Sequence, residues 1–398
     1  MRSKSGGSTK CCTDGDDVHE QHTTIRRSNQ SSWMLCFYFL VLSLLILGFA
    51  QSTMPWPIMR VKNVGIKKEA TDLIELPPLK ELIAPNGTVI GDISWMLDFA
   101  IIAFPKSGTT FMKDYLNETG ETYVYEREFC MKRYSQVSDF VQTYYKLHVK
   151  LNQPKQPKTI RFGLKCPGVF YRTDDIHIYA KYFPHTKFIV GLRHPISWFE
   201  SFYNYQSYRN VSLPNTLELI GKCQNHGKVC TDRARFHAAL ARLGKTPMQS
   251  DKEIALLFGL RYSEQQYIHQ TNNHQNESDP NHRDLKQNGF SNEVFLYELR
   301  QIHNKAASKE LASGIQQYIG LRDKLPTILS YKQTKPRAIN ICDDEHETAR
   351  KLLAEHGTDA RTWIVEYFLP SLSVSSTISF HSYLNDWGTD PCLNNTFS

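Results

Sequence analysis

Asp98-Phe-Ala-Ile-Ile-Ala-Phe104, followed at once by Pro105-Lys106-Ser107-Gly108-Thr109-Thr110, is the stretch on which the reading of this chain turns. Apart from Asp98 the first segment is wholly apolar and has the length of a buried strand. Met112, Tyr115, Leu116 and Thr119 then recur at helical spacing, so a helix is expected from about Thr109. A strand, a tight turn and a helix start make an anion site. The first N–H groups of a helix lack partners within it and carry the positive end of its dipole. Gly108 lets the backbone come close to a phosphate, Ser107, Thr109 and Thr110 add hydroxyl donors, and Lys106 adds a mobile positive charge. The nucleotide-triphosphate loop has the pattern Gly-x4-Gly-Lys-Ser/Thr. Here the lysine precedes the glycine, and Ala100 to Pro105 holds no glycine, so the turn suits a single phosphate.

Further along, Lys187 to Leu192 (KFIVGL) reads as a second buried strand, followed by Arg193-His194-Pro195 and a helix from Ile196 to about Tyr205. Pro195 suits a first helical turn. Ser197 and Ser201 are four apart and share a face. An arginine at the strand end and a serine on that face can grip a second phosphate by charge-assisted hydrogen bonds. Two grips on two parallel strands fit a nucleotide with two separated phosphates, unlike ATP. Between them stands Gly163-Leu164-Lys165-Cys166-Pro167, then a helix with Ile176, Tyr179, Ala180 and Phe183 on one face. Short apolar runs alternating with helical patterns from about Trp95 predict an α/β domain with a central, largely parallel sheet.

Phe104-Pro-Lys-Ser-Gly-Thr-Thr-Phe111 resembles the 5′-phosphosulfate loop of the sulfotransferases that use 3′-phosphoadenylyl sulfate (PAPS). Arg193 and Ser201, eight apart, resemble the 3′-phosphate motif of that family. The Gly163–Pro167 segment is similar to a strand of the Golgi carbohydrate sulfotransferases of heparan type; Lys165 matches their lysine, and Leu164 stands where their glutamate would be. Two later segments, Glu293 to Leu299 and Gln316 to Leu321, are similar to the family's late strand and following helix. The resemblance runs from roughly Trp95 to Pro370 and implies a P-loop-like three-layer domain. It implies PAPS as co-substrate, without a metal. Lys106, Ser107, Gly108, Thr109, Thr110, Arg193 and Ser201 would bind the nucleotide, and Lys106 and Lys165 would stabilise the leaving phosphate oxygen. Tyr125-Glu-Arg-Glu-Phe129 resembles a substrate-edge segment of Golgi members and offers Glu126 and Glu128 as general bases, with Glu128 placed among the catalytic residues. His194, His177 and Asp174 are further candidates. Lys332, Lys335 or Arg337 would replace the C-terminal arginine-lysine-glycine loop of cytosolic members. Phe111 and Trp198 depart from the family's usual residues.

The 398 residues are 40% hydrophobic and 12% aromatic, enough for a sizeable core. The net charge of +7 suits an anionic ligand, and no basic run resembles a nucleic-acid arm, so no nucleic-acid partner is expected. Residues 1–32 read as a polar cytoplasmic tail. Trp33 to Ala50 (WMLCFYFLVLSLLILGFA), 18 residues without charge, reads as a single transmembrane signal-anchor. A secretory leader cleaved near Gly48 and Ala50 is the rival reading. Arg26 and Arg27 precede the segment while Arg60, Lys62, Lys67 and Lys68 follow it, so positive charge does not orient it. The sequons at Asn86, Asn117, Asn210, Asn276 and Asn394 all lie beyond it and place the C-terminal bulk in the lumen. Residues 51–94, with five prolines, read as a stem, and 95–398 as the lumenal domain. Six of the nine cysteines follow the apolar segment. An even number fits disulfides in an oxidising lumen, Cys223 and Cys230 being close enough to close a small loop; six buried thiols are the alternative. No pair has zinc-site spacing. The expected protein is a single-pass type II Golgi enzyme that sulfates a hydroxyl or amine, on a glycan before a small molecule or tyrosyl protein. A kinase would need the triphosphate loop. A catalytically idle lumenal scaffold, binding glycans or a partner, would bind adenosine 3′,5′-bisphosphate without turnover.

Overall fold

The computed structural model describes residues 76–393 apart from 132, 152–159, 172, 222, 224–228, 244–290 and 329–336. The tail, the apolar 33–50 segment, most of the stem, Asn276, Asn394, Lys332 and Lys335 lie outside the described residues. Among the described residues no helix is long and apolar enough to cross a membrane.

Six strands form one sheet in the order β2-β3-β1-β4-β5-β6, and every neighbouring pair is parallel. They are β1 (Phe99–Ala103), β2 (Thr122–Val124), β3 (Arg161–Cys166), β4 (Lys187–Leu192), β5 (Val294–Glu298) and β6 (Val374–Ser376). Parallel strands are covered on both faces and therefore need unbroken apolar runs. FAIIA and VFLYE are buried at every position, and KFIVGL at all but its first. The core divides accordingly. Ala100 and Ile102 face a large cluster with residues of α2 (Ser135–Leu151), α3 (Thr173–Tyr182), α4 (Pro195–Tyr208) and α8 (Glu347–Trp363). Phe99 and Ile101 face a smaller one with residues of α1 (Thr109–Asn117) and α7 (Lys305–Ile319). The result is the expected three-layer α/β arrangement. The shorter helices are α5 (Phe236–Ala241), α6 (Arg300–His303) and α9 (Ile378–Asn385).

Two features position the site. The chain leaves β1 for the β2–β3 side of the sheet and returns on the other side in β4. The C-terminal ends of β1 and β4 therefore flank a topological switch point, where the crevice of an open α/β sheet opens. Ala103 is in register with Gly191, so the two ends lie side by side. Disulfides join Cys130 to Cys166, Cys223 to Cys230 and Cys342 to Cys392, so all six cysteines beyond the apolar segment are paired.

Two elements differ in extent from the sequence reading. Leu82 and Ile93 are buried in the large cluster, so the compact unit begins ahead of Trp95 and takes in residues assigned to the stem. Helix α4 starts at Pro195 and runs on to Tyr208. His194 caps it, its Nδ1 accepting from the Ile196 N–H at 3.3 Å.

Candidate functional site

The turn after β1 is held by its neighbours as well as by itself. Three successive carbonyls are each engaged by a side chain from another element: helix α4, the residue after β4, and β5. The Trp198 Nε1–H donates to the Pro105 oxygen at 2.7 Å. An Arg193 N–H donates to the Lys106 oxygen at 3.3 Å, and the Tyr297 hydroxyl to the Ser107 oxygen at 3.0 Å. Ser107 donates its own N–H back to Phe104, closing the turn at 3.2 Å. Lys106 takes a left-handed backbone conformation with φ 70°, uncommon for a side-chain-bearing residue. Gly108 follows at φ 80°, and a Cβ there would stand 2.6 Å from Leu299 Cδ1. Helix α1 opens at Thr109, and its first internal hydrogen bond runs from the Met112 N–H to the Gly108 oxygen at 2.9 Å. Ser107 is fully buried and its Oγ has no hydrogen-bond partner among the described residues, a placement that calls for one.

The second predicted grip lies against the first. Arg193, at the end of β4, reaches the Lys106 carbonyl. Burial pushes its guanidinium down to about 10, with the carboxylates of Glu298 and Glu200 opposing the shift, so it stays cationic at neutral pH. The Lys106 ammonium sits over the Tyr205 ring, 4.7 Å from its centre. Tyr205 is one turn beyond Ser201 on α4, so Ser201 shares the face that Lys106 approaches. Of the three basic residues considered for a replacement loop, Arg337 is described, with its guanidinium 4.0 Å from Glu200.

Lys165, at the end of β3, is buried, and its ammonium bridges two predicted residues. It donates to Thr110 Oγ1 at 2.9 Å and pairs with Glu128 at 3.0 Å. With its oxygen accepting from Lys165, the Thr110 hydroxyl keeps its own hydrogen for another acceptor. The Glu128 side chain is 56% exposed and so remains reachable. The segment that carries it is fixed at the strand end by the Phe129 N–H on the Lys165 carbonyl at 3.2 Å and by the Cys130–Cys166 disulfide.

The other base candidates fare differently. His194 is buried between the Ile196 N–H and the Asp386 carbonyl. Burial, then the charge of Arg300, pushes it down to about 4, so it is a neutral cap. Glu126 is exposed, and its carbonyl accepts from Lys113 at 3.3 Å. His177 and Asp174 lie on α3, the side chain of Asp174 outside the described residues. Sequence reasoning singled out neither Tyr205 nor Tyr297, and noted Trp198 only as a departure. A polar-tipped aromatic one turn past Ser201, or within an apolar strand, was the available signal.

No family model matches the chain, and no curated protein does. Among solved structures, the chain is similar to the crystal structure of a sulfotransferase from Alicyclobacillus acidocaldarius. The two share 12% identity at a TM-score of 0.36, over 68% of this chain and 96% of that one.

Proposed function

We propose that this chain transfers a sulfuryl group from PAPS to a hydroxyl or amine acceptor, a glycan foremost, in the Golgi lumen, with residues 33–50 as its single membrane anchor. One observation carries the reading: Lys106 and Arg193, from two strand ends at a switch point, are in contact, with an arginine N–H 3.3 Å from the lysine carbonyl. The residues fit a 3′,5′-phosphorylated nucleotide, since two cationic side chains from neighbouring strand ends stand beside the opening turn of α1, and the buried Ser107 Oγ has no hydrogen-bond partner among the described residues.

When bound, PAPS supplies the activated sulfuryl group. Lys106, the hydroxyls of Thr109 and Thr110 and the first-turn N–H groups of α1 hold its 5′ side. Arg193 and Ser201 hold the 3′-phosphate. Lys106 and Lys165 place positive charge where negative charge builds up on the departing oxygen. Glu128, oriented by Lys165, accepts the acceptor's proton on its carboxylate.

The test is transfer of labelled sulfate from PAPS to a panel of polysaccharides, peptides and small alcohols, alongside binding of adenosine 3′,5′-bisphosphate. Lys106→Ala should cut turnover at least about 100-fold, the scale of losing one preorganised charge partner, with an unchanged melting temperature. Near-normal turnover by that variant ends this assignment. Binding without turnover on any acceptor favours the idle scaffold.

A further inference from the structure

The loop's three engaged carbonyls have a consequence for ligand binding. A trans peptide is planar, so fixing a carbonyl fixes the following N–H in the opposite direction. Trp198 and Tyr297 therefore set the orientation of the Lys106 and Gly108 amides from outside the loop, while the Ser107 amide is held both by Arg193 and by its own bond to Phe104 within the turn. Both aromatic donors are fully buried. Burial raises the Tyr297 hydroxyl above its ordinary range, so it remains an O–H donor. The packing leaves no slack: a Cβ at Gly191 would lie 2.5 Å from the Ser107 oxygen and 2.5 Å from the Tyr297 hydroxyl.

We propose that Trp198 and Tyr297 are positioning residues that brace the loop for the 5′-side phosphate, and that Arg193 ties this brace to the 3′-side grip. The proposal rests on the nucleotide reading above. Neither aromatic need touch the ligand; each acts through a carbonyl. Without one brace, the peptide it holds can rotate, and the loop must be ordered at the expense of binding.

Two conservative variants test it in the full-length chain. Trp198→Phe keeps an aromatic ring among Phe202 and Phe236 but removes the N–H. Tyr297→Phe removes one oxygen. Affinities for adenosine 3′,5′-bisphosphate, adenosine 5′-monophosphate and adenosine 3′-monophosphate are measured by calorimetry. Each variant should weaken the first two about 5-fold, the scale of one hydrogen bond. The 3′-monophosphate, held by Arg193 and Ser201, should change less than about twofold, within the weakest hydrogen-bond effects. A loss shared equally by the 5′ and 3′ ligands, or no loss for any, overturns the brace. If Trp198→Phe does not fold, Tyr297→Phe carries the test alone. Failure of the unaltered chain to bind the bisphosphate overturns the nucleotide reading itself, and the brace with it.

Discussion

The side-chain amide of Asn117 donates to the Val124 carbonyl at 3.0 Å and accepts from the Val124 N–H at 2.6 Å. The hydroxyl of its sequon partner Thr119 is engaged as well, on the Leu116 carbonyl at 3.0 Å. A sugar on that amide would displace contacts joining α1 to β2. Asn86 differs: it is exposed in a turn and accepts from the Thr88 N–H at 3.0 Å, within its own sequon. Asn210 is exposed just past α4, in a left-handed conformation with φ 58°. Under the lumenal placement proposed above, Asn86 and Asn210 should carry glycans and Asn117 should not. Site mapping by mass spectrometry after enzymatic deglycosylation of the full chain expressed in eukaryotic cells decides it. High occupancy at Asn117 would contradict the expectation, and no occupancy anywhere would contradict the lumenal placement. The same contacts show what one sequence hides. Lys106, Gly108 and Arg193 were legible because each sits at a strand end marked by its own neighbours. The partners that hold the loop were not, since Trp198 lies 93 residues from Pro105 and Tyr297 190 residues from Ser107.

Among the elements, β1, β4 and β5 were readable because each is an apolar run ended by a turn or a charge. The three-residue strands β2 and β6 carry too few residues for any period to register. The Cys223–Cys230 pair was readable from its short spacing, but the other two pairings were closed to sequence, since four cysteines allow three connectivities. The Cys130–Cys166 bridge joins the end of β3 to the segment bearing Glu128 and closes a loop across 36 residues. Chain-entropy reasoning assigns such a loop about 3–4 kcal/mol. Replacing both cysteines by alanine should lower urea stability by roughly that amount. It should also lower turnover more than bisphosphate affinity, because the Lys165–Glu128 pair loses its clamp while Lys106 and Arg193 keep theirs. Equal falls in turnover and bisphosphate affinity would show that the bridge merely stabilises the domain.

For the molecule as a whole, buried imidazoles set the response to acid. Burial, before any charge effect, pushes His194 down to about 4 and His237 to about 3, and lowers His148 as well. In the unfolded chain these groups take up protons near pH 6.5. Between about pH 6.5 and 4 the unfolded state thus binds more protons, so stability is full above 6.5 and falls as the pH drops through that window. From pH 7.5 to 5.0 the loss should be about 2 kcal/mol for each of His194 and His237. His194→Asn keeps a capping oxygen and removes the titration. Urea midpoints at the two pH values should lie closer together for that variant. A stability that does not change between pH 7.5 and 5.0 would refute this account.

The central place of β1 also has a consequence for synthesis. More than 100 residues separate β4 from Tyr297, the penultimate residue of β5. At ordinary elongation rates of about 5–20 residues per second, the nascent polypeptide waits roughly 10–40 s between making the loop's lysine and making the last of its three supports. A ribosome-stalled intermediate ending before Val294 can pair β1 with β4 yet lacks the hydroxyl that holds the Ser107 carbonyl. Full nucleotide affinity should therefore appear late during translation, once β5 has joined the sheet.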